Sequence, residues 1–409
     1  MQKSSKFALG SVPGGRRFLA RAIVPALLIG CSAGTAVAGP TLTFGKEGSV
    51  TLSYLTQMWT QYRSYSGPTP TSSVPNDSGT TQFFLRRNRF NISGQFNNYL
   101  GFYTQIDAPN DGKFGVANKG VFYRDAYLTF DYSDAIRLIG GKFKQTFTRE
   151  NLEDCFGPLT MDRSEVISYT PFGGSRDDGI ALWGNLHNAM FQYRIMVANG
   201  RNNSAVMPKH LPRITARFDV SLLEPEYAYG YEGTYLGTKK VLTIGLAYDY
   251  QKDVAYADYP ARKDPVSYKA WTADLFYEHP FSTGTYTFST AYIHYDTGNA
   301  INRHPDPSLP VNTQLSGYYV KAAYMLPSKV GIGRLQFFVR HEQWNYHLTG
   351  SRSGLYNARW NSGGVNYYID GQNLKISAAF ARVTYPHQAP TSPALQDYNQ
   401  ATLGVQMIF

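Results

Sequence analysis

The stretch Ala401-Thr402-Leu403-Gly404-Val405-Gln406-Met407-Ile408-Phe409 carries the pattern that decides the fold. Its odd-numbered positions are all apolar, and Thr402, Gly404 and Gln406 stand between them. A period of two residues predicts a β-strand with one apolar and one more polar face. The wall of a membrane barrel needs this pattern because outward side chains meet lipid and inward side chains meet water. The stretch therefore predicts a transmembrane β-barrel, with Phe409 as an aromatic assembly signal.

The composition favours a barrel over a soluble domain. The chain holds 32 Tyr, 24 Phe and 5 Trp, which fits aromatic girdles at both membrane surfaces. Charged residues make up 17%, below the roughly 25% of an ordinary globular chain. No repeat of about 40 residues suggests a propeller. The eight His and the Ser residues show no catalytic pairing, so an enzyme is not expected.

Residues 1–38 are predicted to be a signal peptide. They contain Lys and Arg but no Asp or Glu, and the apolar run 22–29 leads to the cleavage pattern Ala36-Val37-Ala38. The predicted domains are therefore the signal peptide 1–38 and the barrel 39–409. Loss of five basic residues would lower the net charge from +10 to +5.

A lipoprotein box is the alternative interpretation of this N-terminal segment. Leu28-Ile29-Gly30-Cys31 has the form of such a box, and cleavage there would leave Cys31 acylated. Cleavage after Ala38 would instead leave Cys155 as the one cysteine of the mature chain. A single cysteine forms no internal disulfide, so a disulfide-stapled fold is not expected.

Sixteen alternating runs are predicted to form the strands of a closed antiparallel barrel. Both termini on the periplasmic side require an even number of strands. The runs lie at 48–63, 82–96, 99–108, 120–132, 135–143, 178–185, 189–199, 211–221, 240–250, 267–279, 284–295, 314–326, 333–344, 359–369, 373–384 and 398–409.

The connections between the runs are predicted to alternate between short turns and long loops, as in outer-membrane barrels. Asn97-Asn98 and Ser133-Asp134 have the composition of tight turns. The long polar connections lie at 64–81, 109–119, 144–177, 200–210, 251–266, 296–313, 345–358 and 385–397. Residues 222–239 occupy the place of a short turn but are long. They are expected either to extend their strands or to fold a small element.

The same alternation assigns side chains to faces. In the first run Leu52, Met58 and Tyr62 share one face, whereas Gln57 and Arg63 share the other. Charge facing lipid costs about 2–4 kcal/mol at mid-depth, so the polar faces are expected to point into an aqueous lumen. This rule predicts inward basic residues at Arg87, Arg89, Arg137, Arg194, Arg213, Arg217, Lys321, Arg340 and Lys375.

These inward basic residues favour anions, and the planar guanidinium suits oxyanions in particular. The sequence supports passive diffusion of a polar solute through this lumen. The rule also turns carboxylates inward, at Asp107, Asp125, Asp219, Asp249, Asp274, Glu278 and Glu342. Sequence alone does not separate the two sets in space, so a general pore lined by both signs stays open as the alternative.

The longest connection, residues 144–177, is predicted to fold inward and narrow the pore. It is too long for a plain surface connection. The candidate constriction residues are Lys142, Lys144, Arg149 and Arg163. The alternative is an extracellular lid with solvated charges. Cys155 lies in the same connection, where a packed or exposed thiol is expected rather than a reactive one.

Several segments resemble the phosphate-selective porin O and P family. Phe84-Leu85-Arg86-Arg87-Asn88-Arg89-Phe90-Asn91-Ile92-Ser93-Gly94 is similar to an early Arg-rich strand of that family. Gly140-Gly141-Lys142-Phe143-Lys144-Gln145-Thr146-Phe147 resembles the entry to its constriction loop, and Met161-Asp162-Arg163-Ser164 an element within it. Tyr123-Arg124-Asp125-Ala126-Tyr127-Leu128, Gly364-Val365-Asn366-Tyr367-Tyr368 and the terminal strand complete the resemblance across the mature chain.

The resemblance implies a homotrimer of sixteen-stranded barrels in the outer membrane of a Gram-negative cell, surrounded by lipid and lipopolysaccharide. It implies passage of small anions, with oxyanions such as phosphate, sulfate or selenite as candidates. The matched motifs carry the pathway role to Arg87, Arg89, Lys142, Lys144 and Arg163. The roles of Arg149, Arg213, Arg217, Lys321 and Lys375 rest on the face and loop patterns. No nucleic acid, metal or cofactor is expected.

A second hypothesis is a scaffold barrel that sheathes a multihaem cytochrome. The chain has no Cys-x-x-Cys-His motif of its own, so any haem would belong to the partner. Such a sleeve needs an empty lumen, whereas a channel is expected to carry a constriction. The position of residues 144–177 relative to the lumen therefore discriminates between the two hypotheses.

Overall fold

The computed structural model describes eight segments of the chain: 39–64, 79–109, 120–168, 175–203, 206–297, 315–348, 354–387 and 397–409. The predicted signal peptide and Cys31 lie outside these segments, as do parts of several predicted loops. Within the described segments, no helix is long and apolar enough to cross a membrane.

Strands account for most of the described chain. They are β1 (Thr41–Phe44), β2 (Gly48–Arg63), β3 (Thr80–Gln95), β4 (Leu100–Asp107), β5 (Phe122–Ser133), β6 (Ile136–Lys144), β7 (Arg176–Leu186), β8 (Phe191–Ala198), β9 (Arg213–Ser221), β10 (Val241–Asp258), β11 (Lys263–Phe281), β12 (Gly284–Asp296), β13 (Leu315–Met325), β14 (Arg334–Leu348), β15 (Gly354–Asp370), β16 (Leu374–His387) and β17 (Tyr398–Ile408). Between β6 and β7 lie the one-turn helix α1 (Arg149–Leu152) and a 3₁₀ turn, Glu165–Ser168.

Strands β2 to β17 form a closed antiparallel barrel of sixteen strands. Each strand pairs with the next in the chain, and β17 pairs with β2, where Gln406 lies opposite Gln57. Closure leaves no exposed sheet edge, as a bilayer requires. The predicted all-β barrel of sixteen antiparallel strands is confirmed. Strand β1, which was not predicted, pairs with the start of β2.

The side chains alternate between the two faces as predicted. On β17 Leu403 and Met407 are exposed on the outside, whereas Thr402 and Gln406 are buried inside the ring. On β10 Leu246 is exposed and Asp249 is fully buried. The outer wall therefore presents apolar rows to lipid, and the charged residues face inward.

Two predicted long loops are shorter than expected. The connection predicted at 251–266 is a turn at 259–262, because β10 continues to Asp258 and β11 begins at Lys263. A register shift between Gln251 and Ala255 lets the strand continue past its charged residues. The connection predicted at 345–358 is likewise reduced to 349–353, because β14 and β15 continue beyond the predicted runs.

The interior of the barrel contains two packed aromatic clusters. In one, Phe147 and Val166 from the β6–β7 connection pack with Tyr268 and Tyr295 of the wall. In the other, Tyr229 and Tyr231 from the β9–β10 connection join a group that includes Phe143, Leu152 and Trp183. Both connections therefore bury apolar surface against the inner wall, which stabilises them there.

Candidate permeation site

Two β-bulges turn additional arginines toward the inside of the barrel. The register between β2 and β3 shifts at Gln57 and Met58, which leaves Arg86 as the extra residue of β3. The register between β4 and β5 shifts at Gln105 and Ile106, and Arg124 is the extra residue there. A bulge re-aims a side chain that strict alternation would point the other way. Arg86 and Arg124 are thus spared contact with lipid and join the inner face.

The carboxylate of Asp162 forms ion pairs with both Arg86 and Arg87. Arg86 Nη2 lies 2.8 Å from one carboxylate oxygen, and Arg87 Nη2 lies 3.0 Å from the other. The main-chain oxygens of Asp162 and Arg163 accept hydrogen bonds from Arg340 Nη1 at 3.2 and 3.1 Å. These charge-assisted bonds fix the Met161–Ser164 motif between two parts of the wall.

Four further arginines surround Asp107, Asp125 and Cys155. Asp107 lies 2.7 Å from Arg89 Nε and 3.8 Å from Arg124 Nη1. The Asp125 carboxylate accepts two hydrogen bonds from Arg176. Arg163 Nη2 donates to the Cys155 sulfur at 3.2 Å.

We call this group the basic cluster. Its guanidiniums belong to Arg86, Arg87, Arg89, Arg124, Arg163 and Arg176, and its carboxylates to Asp107, Asp125 and Asp162. Six positive charges thus meet three negative charges, and the cluster is net positive.

The segment 145–168, which follows β6, contacts inward-facing side chains on the far side of the ring. Lys321 on β13 forms an ion pair with Glu150. Asn366 on β15 donates to the Leu159 carbonyl at 3.1 Å, and Lys375 on β16 donates to the Phe156 carbonyl at 2.6 Å. These bonds join the segment to strands that are six or more positions away from β6 around the ring.

The connection 222–240 also folds against the inner wall, which decides between the two expectations for residues 222–239. They do not extend strands β9 and β10. The carboxylate of Glu278 on β11 accepts hydrogen bonds from the Thr234 hydroxyl and from the backbone N–H groups of Tyr235 and Gly237. Arg194 on β8 donates to the Tyr229 carbonyl. The hydrogen-bonding groups of this turn are satisfied by inward-facing side chains, so it folds as a small internal element.

Most predicted pathway residues outside the basic cluster are held in buried ion pairs. Arg217 makes a bidentate pair with Asp274 at 2.7 and 2.8 Å. The other pairs are Arg213 with Asp249, Arg194 with Asp219, Arg149 with Glu226, Lys144 with Asp154 and Lys321 with Glu150. Arg137 lies near the turn carboxylates of Asp131 and Asp134, and Arg340 near Glu342. Their inward placement agrees with the prediction, and their partners are the inward carboxylates.

Two predicted pathway lysines differ from this pattern. Lys375 is buried and has no carboxylate within ion-pair distance among the described residues, since it donates to Phe156 and Gln372. Lys142 is half-buried and has the parity of the outward residue Leu138 rather than that of Arg137. The structure therefore separates Lys142 from the other basic residues. The role of Lys142, Lys375 and the other predicted basic residues in a permeation pathway remains a prediction.

The residues of the site that were not predicted include Arg86, Arg124, Arg176 and Glu226. Adjacent charges gave a usable signal for the first two, because Arg86-Arg87 and Arg124-Asp125 would each place one charge against lipid in a regular strand. No local pattern marks Glu226, whose partner Arg149 is distant in sequence.

A cavity lies between the segment 145–168 and the wall formed by β2, β3 and β14 to β17. It is lined by Trp59, Arg63, Phe84, Met161, Asp162, Arg340 and Trp360, among others. Its position beside Asp162 connects it with the basic cluster. No group of three or more His, Cys, Asp or Glu suited to a metal occurs within the described segments.

Residues 69–409 match the family described as phosphate-selective porin O and P. The chain belongs to this porin family. The match covers most of the chain, and the closed barrel of sixteen strands is the architecture that the family resemblance implied. The protein is therefore a multi-pass outer-membrane porin. No curated protein sequence matches it.

Solved structures of other porins share this fold. The anion-selective porin from Comamonas acidovorans superposes with a TM-score of 0.56 at 9% identity, covering 89% of this chain and 100% of that one. The outer membrane channel DcaP of Acinetobacter baumannii superposes with a TM-score of 0.59 at 11% identity, covering 91% of this chain and 100% of that one. OmpT of Vibrio cholerae in a trimer form superposes with a TM-score of 0.51 at 10% identity, covering 89% of this chain and 100% of that one. At these identities the likeness shows the fold alone.

Proposed function

We propose that this porin is a channel for small anions, oxyanions above all, and that residues 145–168 form its constriction. The basic cluster is the observation that carries the proposal. Its six guanidiniums outnumber its three carboxylates, and all of them face the interior of the barrel. A net positive zone of low dielectric raises the local concentration of anions and disfavours cations.

The distribution of the remaining charges supports this assignment. On the side of β8 to β11 the carboxylates Asp219, Asp249 and Asp274 compensate Arg194, Arg213 and Arg217. Compensated pairs exert a weaker field at a distance than an uncompensated cluster does. The excess of positive charge therefore lies beside β3, β5 and β7, and anions are expected to pass close to these strands.

The contacts of residues 145–168 favour a channel over a scaffold that sheathes a cytochrome. The segment forms bonds with Lys321, Asn366 and Lys375 from one side and with Arg86 and Arg87 from another. A haem protein inside the barrel would require this volume, so it would have to displace buried ion pairs. The same volume narrows the path of a small solute.

The comparisons agree with the proposal. The family is described as phosphate-selective, and the porin of Comamonas acidovorans is named as anion-selective. A homotrimer belongs to the proposal as well, supported by the trimer form of OmpT. Bidentate guanidinium groups suit the oxygens of phosphate, sulfate and selenite, which is why oxyanions are favoured.

The test is the reversal potential of the purified mature porin in planar bilayers under a potassium chloride gradient. The proposal predicts preference for chloride, and the double variant Arg86→Gln/Arg124→Gln is expected to weaken it by about two- to fivefold. Arg359→Gln is the control, because Arg359 is exposed on β15 and loses the same type of charge outside the cluster. Cation preference in the wild type contradicts anion selectivity, and equal effects of the two variants contradict the role of the cluster.

Oxyanion preference is tested by current block. Phosphate, sulfate and selenite, added separately to a chloride solution, are expected to reduce chloride current at lower concentrations than acetate of equal ionic strength. The Arg86→Gln/Arg124→Gln variant is expected to lose this difference. Equal block by acetate and by the oxyanions in the wild type contradicts oxyanion preference while leaving anion selectivity intact.

A further inference from the structure

Cys155 lies at the centre of the basic cluster, and four guanidiniums from four parts of the chain surround it. Arg163 Nη2 is 3.2 Å from the sulfur, and the two terminal nitrogens of Arg176 are 4.0 and 3.9 Å from it. Arg89 and Arg124 act on the same sulfur electrostatically. The thiol is thus part of the charged site and not an isolated apolar cysteine.

The charges around the sulfur do not cancel. Asp107 neutralises part of the charge of Arg89 and Arg124, and Asp125 pairs with Arg176. Lys144 and Asp154, which are adjacent, neutralise each other at 2.9 Å. Four positive and two negative groups remain in direct relation to the sulfur, so a negative charge on sulfur is compensated with a positive charge to spare.

Arg163 also has an unused hydrogen-bond donor. Its Nη2 group donates to the Glu153 carbonyl and to the sulfur, but its Nε has no partner among the described residues. The residue is 9% exposed, so this donor is withdrawn from bulk water. A buried guanidinium N–H without an acceptor is a strong site for an oxygen of an anion.

The electrostatic surroundings determine the protonation state of the thiol. Burial by itself raises the pKa of Cys155, but Arg163, Arg89, Arg176 and Arg124 outweigh burial and hold the pKa well below the usual thiol value of 9.0. These guanidiniums therefore favour the thiolate over the neutral thiol. The thiolate is the form that attacks disulfides.

We propose that Cys155 is a modification site for small, negatively charged disulfides and thiosulfonates that enter the lumen. The class is chosen by charge and by chemistry. The net positive cluster attracts an anionic group, the Nε of Arg163 offers it a hydrogen bond, and the neighbouring sulfur attacks the S–S bond. The side chain of Arg124 is 26% exposed, which leaves an approach to the cluster from the lumen.

The reaction is balanced without any further reactant. The Cys155 thiolate attacks one sulfur of the reagent, a new S–S bond forms to Cys155, and the original S–S bond breaks. The departing half leaves as a thiolate, or as a sulfinate when the reagent is a thiosulfonate. The reagent is the oxidant, no proton is transferred, and a reducing thiol reverses the modification.

The test compares two reagents of opposite charge on the folded mature porin in detergent. Addition of the (2-sulfonatoethyl)thio or the 2-(trimethylammonium)ethylthio group from the corresponding methanethiosulfonate is followed by mass spectrometry. Each rate is divided by the rate for free cysteine. The corrected rate is expected to be about tenfold or more higher for the anionic reagent. The uncorrected rate is also expected to depend less on pH between 6 and 8 than the rate of free cysteine does, because the guanidiniums favour the ionised sulfur.

Three variants make the comparison specific. Cys155→Ser is expected to abolish the mass shift. Cys155→Ser/Ser282→Cys places a thiol on an exposed turn away from the cluster, where no charge preference is expected. Arg124→Gln is expected to reduce the preference several-fold. It is suited to this purpose because Asp107 keeps its partner Arg89.

The outcomes decide the proposal independently of ion selectivity. If Cys155 is labelled only after the porin is unfolded, the proposal is contradicted, because the thiol is then inert in the folded protein. Equal corrected rates for the two reagents also contradict it, because the cluster would not select charge. A cation-selective channel in bilayers would overturn the proposed function and leave these labelling rates unaffected, since no ion gradient is involved.

Discussion

Arg149 and Glu226 join the two internal connections of the barrel. Arg149 Nη1 and Nη2 donate to the two oxygens of Glu226 at 2.8 and 2.7 Å, and both side chains are almost fully buried. Arg149 belongs to the connection after β6 and Glu226 to the connection after β9, so the pair links elements that enter from opposite ends of the barrel. This pair is referred to below as the clamp.

Breaking the clamp is expected to loosen both connections. Arg149→Gln or Glu226→Gln leaves the other charge buried without its partner. Such a change lowers the free energy of unfolding by about 3–5 kcal/mol. Both variants are expected to show noisier single-channel current and a lower temperature of conversion to the unfolded form on electrophoresis. Arg382→Gln is the control, because the Arg382–Asp397 pair is exposed and is expected to have little effect. Quiet channels in all three variants argue against a role for the clamp in holding the constriction.

The clamp is also expected to respond to acid. Burial raises the pKa of Glu226, but Arg149 and the hydrogen bonds from Tyr235 and Thr243 outweigh it, so the pKa is lowered from the ordinary 4.5. Because the pKa of Glu226 is lower in the folded than in the unfolded state, its carboxylate stabilises the folded state at pH values above the unfolded-state pKa. This contribution is lost as the pH falls through the folded-state pKa. Current noise is therefore expected to be constant from pH 7 to 5 and to rise only below pH 4.5. Glu226→Gln is expected to be noisy at every pH, and a parallel rise in both proteins would assign the acid effect to another group.

Removing the carboxylate of Asp162 is expected to strengthen anion preference. Asp162→Asn frees Arg86 and Arg87 of their counter-charge, while the Asp162 carbonyl still accepts from Arg340. The permeability ratio of chloride over potassium is expected to rise by about two- to fivefold, the equivalent of roughly 0.4–1 kcal/mol. Asp397→Asn is the matched control, since Asp397 is exposed and pairs with Arg382. An unchanged ratio would place Asp162 outside the path.

Gly245 is expected to tolerate no side chain. A Cβ at this position would lie 2.2 Å from Arg217 Nη2 and 2.6 Å from oxygens of Asp219 and Asp274. Gly245→Ala must therefore displace the buried ion pairs. Such overpacking is expected to lower the free energy of unfolding by about 1–3 kcal/mol. Gly140→Ala is the control, because its Cβ would meet only Ile180 at 4.0 Å. The comparison of their unfolding temperatures checks the prediction, and equal values would mean that the ion pairs adapt.

The sequence determined the wall of the barrel. Period-two alternation predicted all sixteen strands of the closed ring, because a lipid-facing row must be apolar at every second residue. The same rule predicted the inward placement of Arg213, Arg217 and Lys321. It did not predict Arg86 and Arg124 on the inner face, since a bulge changes the parity of a strand. The lengths of the outer loops were misjudged where strands continue past the membrane with polar residues, as in β10.

Only the tertiary structure decided what the inward charges do. Alternation states on which face of its strand Arg217 lies, and it assigns no face to Arg149 and Cys155, which belong to a connection. The partner of each residue depends on distances between strands and connections that are far apart in sequence. Folding brought Glu226 to Arg149, Asp274 to Arg217 and four guanidiniums to Cys155. The sequence by itself thus fixed a membrane barrel of sixteen strands, because local periodicity records the border between lipid and water. The positions of compensated and uncompensated charge inside that barrel depend on long-range packing, which leaves no periodic trace.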